Sequence, residues 1–278
     1  MKLNRLFLSA LFAVMLFSAT GQSLVPLWET ERILQVPESV LYDRVTQNIY
    51  VSCINGNPLA KDGNGYIAKL DKNGKILKLK WITGLNAPKG MAVRNGKLFV
   101  SDIDRVAEIN IKTGKIERFY PVAGAEFLND VAIDKNGNVY ISDSGKGVIY
   151  KLANGEVKLW LDGSDLKGVN GLNLWQGKLL AGASGKIWQI DLKTGEKKAL
   201  VEAGGMIDGL IPTGNHRFII SDWKGKVQLT GINIPPVVLR NTTNEKINAA
   251  DLGYIYEERT LLIPTFFDNR VAAFKLTE

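Results

Sequence analysis

An all-β fold of repeated blades is predicted by three features of this sequence. The run Asn129-Asp130-Val131-Ala132-Ile133-Asp134-Lys135-Asn136-Gly137-Asn138-Val139-Tyr140-Ile141-Ser142-Asp143 joins a polar opening, an apolar run, an Asn-Gly turn and a second apolar run ending in Ser-Asp. That grammar returns at Glu38, Lys89, Asn129, Asn170, Asp208 and Asp251, and from Lys89 onward the spacings are 40, 41, 38 and 43 residues. No convincing amphipathic helix interrupts it. Six four-stranded repeats of about 40 residues indicate a six-bladed β-propeller. Two packed sandwiches are the alternative, but they would not require the repeat.

The first 21 residues read as a signal peptide. Lys2 and Arg5 form a basic start, Leu6 to Phe17 an apolar stretch, and Ala19-Thr20-Gly21 a small-residue cleavage site. The apolar stretch is short for a membrane span, so no stable span is expected after cleavage; an uncleaved N-terminal anchor is the alternative. The reading is a periplasmic or secreted protein with a propeller domain over residues 22–278. Cys53 is the single cysteine, so no intrachain disulfide is available and a hydrophobic core must hold the fold. It ends the apolar run Ile49-Tyr50-Val51, which suggests a small, partly buried side chain.

Leu24 to Val36 reads as a lead-in with a strand near Arg32-Ile33-Leu34-Gln35-Val36. Repeat one runs from Pro37 through Ile49-Tyr50-Val51-Ser52, an Asn/Gly-rich excursion over 54–65, and two strands joined through Lys72-Asn73-Gly74. Asn-Gly between apolar runs is a strong hairpin signal. The excursion explains the longer spacing of 51 between Glu38 and Lys89. Repeats two to five follow the same order. Repeat six ends after its third strand, Arg270 to Leu276, so the strand at Arg32 to Val36 is expected to complete it and close the ring. Trp81, Phe119, Trp160, Trp188 and Phe274 lie away from the opening residues and are expected to pack blade against blade.

The formal charge of +7 falls to +5 without Lys2 and Arg5. Many lysines sit in hairpins, and no basic stripe is interleaved with aromatics, which argues against nucleic acid. A small molecule is the expected partner; the sequence does not fix the oligomeric state.

In a propeller the innermost strands line a central channel. The six opening residues are therefore expected to converge at one end of it: three carboxylates, two amides and one ammonium. Repulsion would raise the carboxylate pKa values unless a cation neutralises them. Hard divalent ions accept such oxygen ligands, Ca²⁺ most tolerantly, with Zn²⁺, Mg²⁺ or Mn²⁺ also compatible. A wet polar channel in which Lys89 pairs with the acids is the competing reading, with an Asp251–Lys89 pair as its simplest form.

The openings Pro37-Glu38-Ser39-Val40-Leu41-Tyr42, Asn129-Asp130, Asn170-Gly171-Leu172 and Asp208-Gly209 resemble those of the senescence-marker-protein/gluconolactonase (regucalcin-like) family. They occur in order across nearly all of the chain after residue 21. The resemblance implies a six-bladed propeller with one divalent metal near the channel mouth. It implies Glu38, Asn170 and Asp208 as ligands, Asn129 as a substrate or water contact, and Asp208 as general base or acid. The implied activity is a lactonase-type hydrolase acting on carboxylic esters, with a non-catalytic binding or scaffolding propeller as the alternative and a metal-assisted lyase or epimerase using the same cluster as a third reading. Two features depart from the family. Phe127 stands where an Arg often holds sugar hydroxyls, and Lys89 adds a positive charge, which together suggest a more apolar or anionic ligand. Loops after the second strand of each blade should frame the pocket, making Arg105, Trp223 and Phe267 further substrate contacts. Asp102, Asp143 and Asp222 follow Ser at one repeated position and are expected to bond turns. His216, the only histidine, falls on the opposite face, so a histidine-dyad mechanism is not expected.

Overall fold

A computed structural model of the chain describes residues 21–277. The signal peptide assigned to 1–21 falls almost wholly outside the described residues. Among them no helix is long and apolar enough to cross a membrane.

Six antiparallel four-stranded sheets form the blades of a β-propeller. Their innermost strands are Pro37–Asp43, Pro88–Arg94, Leu128–Ile133, Leu172–Trp175, Leu210–Gly214 and Gly253–Ile255. Each blade then runs outward strand by strand. Apolar side chains from adjacent blades form the core. Tyr50 and Ile67 of blade one pack with Met91 and Leu98 of blade two, flanked by Trp81 and Phe119. Trp160 and Trp188 flank the equivalent seam between blades three and four. Phe274 lies at the seam between blades five and six.

The ring closes differently from the expectation. The fourth strand of blade six is Leu24–Glu29, paired antiparallel with Val271–Leu276. Residues Thr30 to Val36 form the connector. The reason is spatial: the chain must cross from the outermost position of blade six to the channel-lining strand of blade one. A strand at Arg32 to Val36 would leave no residues for that crossing. Leu34 is buried under it, and the Asn269 side chain accepts from the Val36 N–H at 2.9 Å.

The recurring Ser-Asp holds the blades in register. Ser142 Oγ accepts from the Asp130 N–H at 2.8 Å and Ser221 Oγ from the Gly209 N–H at 2.8 Å. Ser221 Oγ also donates to the Ala250 carbonyl of the next blade at 2.8 Å, and Ser101 Oγ donates to that of Asn129. Asp102 accepts from the Asn86 and Ala87 N–H groups, and Asp143 from those of Glu126, Phe127, Gly145 and Lys146. Asp222 accepts from the Lys226 N–H. These aspartates are loop staples, as their position suggested. Around the channel there is no room for a side chain at Gly209, where a Cβ would stand 2.5 Å from the Leu252 nitrogen.

Cys53 is fully buried rather than partly so, and burial pushes its thiol up to about 12.

Candidate functional site

Five of the six opening residues meet at one end of the channel. Glu38, Lys89, Asn129, Asn170 and Asp208 form the floor of a cavity of about 470 Å³, and all five are buried. Ile54, Pro58, Ser144 and Trp223 join its walls from loops after second strands, as do Phe266 and Phe267. Phe127, Gly168 and Met206 enter from the segments preceding inner strands.

Asp251 is not part of this floor. In blade five the Asp208 N–H donates to the Ser221 carbonyl at 2.8 Å; in blade six it is the Ala250 N–H that donates to Pro264 at 3.1 Å. Ala250 therefore occupies the position of Asp208, and Asp251 that of Gly209. A one-residue slip turns a strand side chain to the opposite direction. Asp251 accordingly lines a second cavity of about 400 Å³ further along the channel, together with Ser39 and Asp130. It accepts from Ser39 Oγ at 2.6 Å, so the Asp251–Lys89 pair does not form.

Lys89 is almost completely buried, and its ammonium donates to the carbonyls of Ala87 at 3.1 Å and Pro58 at 3.3 Å. It also stands 4.4 Å from the Phe127 ring centroid, a favourable place for a desolvated cation. Among the described residues no carboxylate lies within ion-pair distance of it. Burial lowers its pKa, opposed by the fields of Glu38 and Asp102.

The floor is rich in oxygen and short of donors. Asn170 Nδ2 donates to Asp208 Oδ1 at 2.6 Å. Glu38 Oε2, Asn129 Oδ1 and Asn170 Oδ1 are buried without a hydrogen-bond partner, a costly state for polar atoms. Burial raises the Glu38 pKa well above the usual range, with Asp208 adding to it and Lys89 opposing. Asp208 is raised to about 8, first by burial and then by Asp251, against the Asn170 bond. Asp130 is raised by burial to about 7, although the Leu172 and Val131 N–H groups, each 2.6 Å away, bond its carboxylate. Burial and Asp130 also raise Asp251.

Two carboxylates with amide oxygens suit a hard divalent cation. Glu38 Oε2 and Asn170 Oδ1 are unpartnered oxygens that such an ion would satisfy, with Asn129 Oδ1 left for a water or substrate beside it, so the donor set fits the expected group. Among the described residues no cluster of three or more His, Cys, Asp or Glu forms a metal site; here the amides would make up the number.

Arg105 does not reach the cavity. Its Nε donates to Asp102 at 2.8 Å, and its guanidinium lies 3.9 Å from the Phe119 ring centroid. Trp223 and Phe267 do line it. His216 is in the turn between Leu210–Gly214 and Arg217–Ser221, with its ring 5.6 Å from that of Trp175, and does not line the cavity. Phe266 lies in the loop after the second strand of blade six, which was expected to frame the pocket. The sequence reading missed Met206, which only three-dimensional loop placement brings to the mouth.

A structure of streptogramin B lyase shares the fold with a TM-score of 0.63 and 11% sequence identity, covering 92% of this chain and 98% of that one. At that identity the likeness shows the fold alone. No family model and no curated protein matches the chain by sequence. The resemblance to the gluconolactonase family therefore rests on the blade openings alone.

Proposed function

We propose that this propeller is a divalent-metal-dependent hydrolase that opens a small lactone or related ester at the channel mouth. The observation carrying this reading is the set of three buried, unpartnered oxygens, on Glu38, Asn129 and Asn170, beside the Asp208 carboxyl. Glu38, Asn170 and Asp208 would hold the ion, with Ca²⁺ the best match to mixed carboxylate and amide oxygens. When bound it would polarise an ester carbonyl and favour the ionised form of the buried carboxylates.

The protein's own groups supply the rest. Asn129 positions the substrate or the attacking water through its free amide oxygen. Asp208, ionised, takes the proton of that water as its oxygen adds to the carbonyl carbon. The ring C–O bond then breaks, and the proton passes from Asp208 to the leaving alkoxide, giving a hydroxy acid. Asn170, bonded to Asp208, fixes the direction in which that carboxyl acts. Lys89 is held by two carbonyls and contributes a fixed positive field at the floor. A signal peptide over residues 1–21 would place the reaction in the periplasm or outside the cell.

Elemental analysis of the purified protein, calorimetric titration with calcium, and a lactone panel test this reading. Metal retention that disappears in Glu38→Ala and Asp208→Ala, with metal-dependent turnover lost in the latter, is the expected result. Undiminished metal content in both variants would remove the site. Tight ligand binding with no turnover would make the protein a binding propeller instead.

A further inference from the structure

The cavity divides sharply into a polar floor and an apolar wall. Above Glu38, Asn129, Asn170 and Asp208 the lining is Phe127, Met206, Trp223, Phe266 and Phe267, with Ile54 and Pro58 beside them. The one wall hydroxyl among the described residues, Ser144 Oγ, donates to the Val169 carbonyl at 2.7 Å. Arg105, the guanidinium expected to face the pocket, is committed to Asp102. Among the described wall side chains the Trp223 indole N–H is the one polar group left over, too little to replace the water around a polyhydroxylated ring, and stripping hydroxyls of water without new partners opposes binding.

The aromatic part of the wall is built as a unit. Trp223 packs edge-on to Phe266 and Phe267, with centroids 5.4 and 5.9 Å apart, and the two phenyl rings stand 4.8 Å apart. Phe266 is held at φ 49°, a conformation that a bulky residue adopts only when its surroundings impose it. Thr265 and Arg270 impose it: the Thr265 N–H and hydroxyl both donate to the Arg270 carbonyl at 2.9 Å, and the Arg270 N–H returns a bond to Thr265 Oγ1 at 3.0 Å. The clamp buries Phe266 and leaves Phe267 on the rim, 60% exposed, with Met206 also exposed at 56%. Two large apolar side chains are thus kept in water at the mouth of a cavity whose polar groups lie deeper. This is the arrangement expected where an apolar group of a ligand completes the packing.

We propose that the cavity selects esters or lactones bearing an apolar chain or ring, seated against Trp223, Phe267 and Met206 while the carbonyl reaches the floor. The inference rests on the hydrolase reading for the reaction, but it concerns the wall and can fail separately. Phe267 and Met206 would set specificity for the substituent, and Glu38, Asn129, Asn170 and Asp208 the chemistry.

The test uses the purified protein with calcium chloride and three probes: γ-nonalactone, γ-butyrolactone and glucono-δ-lactone. The expected result is a kcat/KM for γ-nonalactone above that for γ-butyrolactone. Phe267→Ala should lower that ratio by roughly tenfold, the scale on which apolar pockets discriminate. Because Phe267 is exposed, the variant should fold. A preference for glucono-δ-lactone, or a ratio unchanged in both Phe267→Ala and Met206→Ala, would overturn the proposal and leave the hydrolase reading standing. If no lactone is turned over, calorimetric binding of γ-nonalactone that weakens in Phe267→Ala would support the apolar site and remove the hydrolase. Absence of that binding would remove the apolar site as well.

Discussion

Asn170 Nδ2 donates to Asp208 Oδ1 at 2.6 Å across the seam between blades four and five, and both side chains are buried. The bond fixes the amide so that Asn170 Oδ1 is left without a partner. It also lowers the Asp208 pKa against burial. Asn170→Leu removes the donor at similar size. The variant should lose about 1–3 kcal/mol of stability in urea unfolding, the usual result of leaving a buried acceptor unmade. Calcium affinity should fall by more than about tenfold in calorimetry, and unchanged affinity would remove Asn170 from the ligand set.

The metal-free protein should become less stable as pH rises. Asp130 and Asp208 stand at about 7 and about 8 in the fold, above the ~3.9 of an unfolded aspartate. The folded state therefore holds these protons more tightly. Their contribution is fully present below about pH 4 and is lost as pH rises through about 7 and 8. Urea midpoints measured in chelator should fall over this range, and the fall should be shallower in Asp208→Asn, which keeps the oxygen that accepts from Asn170. Added calcium chloride should flatten the wild-type curve. A flat curve in chelator would contradict the raised pKa values.

Gly209 faces the next blade with no space for a methyl group, since its Cβ would meet the Leu252 backbone nitrogen at 2.5 Å. Gly209→Ala should cost about 1–3 kcal/mol through overpacking, read from chemical unfolding. A neutral result would mean that the inner strands can spread.

The closing strand should matter to the whole ring. Trp28 packs on the core between blades six and one and against Gly74, where a Cβ would collide with its ring. Trp28→Ala should cost about 2 kcal/mol, below the range for a fully buried Trp because this one is half-buried. Deleting Leu24–Glu29 exposes the edge of Val271–Leu276, and light scattering should detect aggregation from that open strand. A monodisperse truncation melting like the full chain would show that closure is dispensable.

Cys53, fully buried with its thiol pushed up to about 12, should not react with a chromogenic disulfide reagent in the native protein at neutral pH. It should react with one equivalent on unfolding. Rapid native labelling would place Cys53 nearer the surface than the fold allows.

Much of this architecture was legible because a propeller repeats. Each blade writes the same local grammar, so the six openings, the Asn-Gly hairpins and the Ser-Asp staples could be read from spacing alone. Asn95-Gly96 shows why: both residues adopt positive φ, which the tight hairpin turn requires. Five ring residues converge as the spacing implied. Arg105 was misread because its position in a framing loop is local, whereas its partners Asp102 and Phe119 form a separate cluster that absorbs its charge.

The sequence by itself determined the blade count, the channel-facing positions of Glu38, Lys89, Asn129, Asn170 and Asp208, and the need for a strand from the N-terminal segment. Periodicity is written in neighbouring residues, and it carries these features. The tertiary structure alone decided that Ala250 rather than Asp251 takes the sixth ring position, because the Ala250 bond to Pro264 and the Ser39 bond to Asp251 set the register of blade six. It also decided that Leu24–Glu29 closes the ring, since the crossing to blade one needs the residues after it. And it alone brought Met206 to the mouth beside Phe266 and Phe267, because the wall of a channel is assembled from blades far apart in the chain.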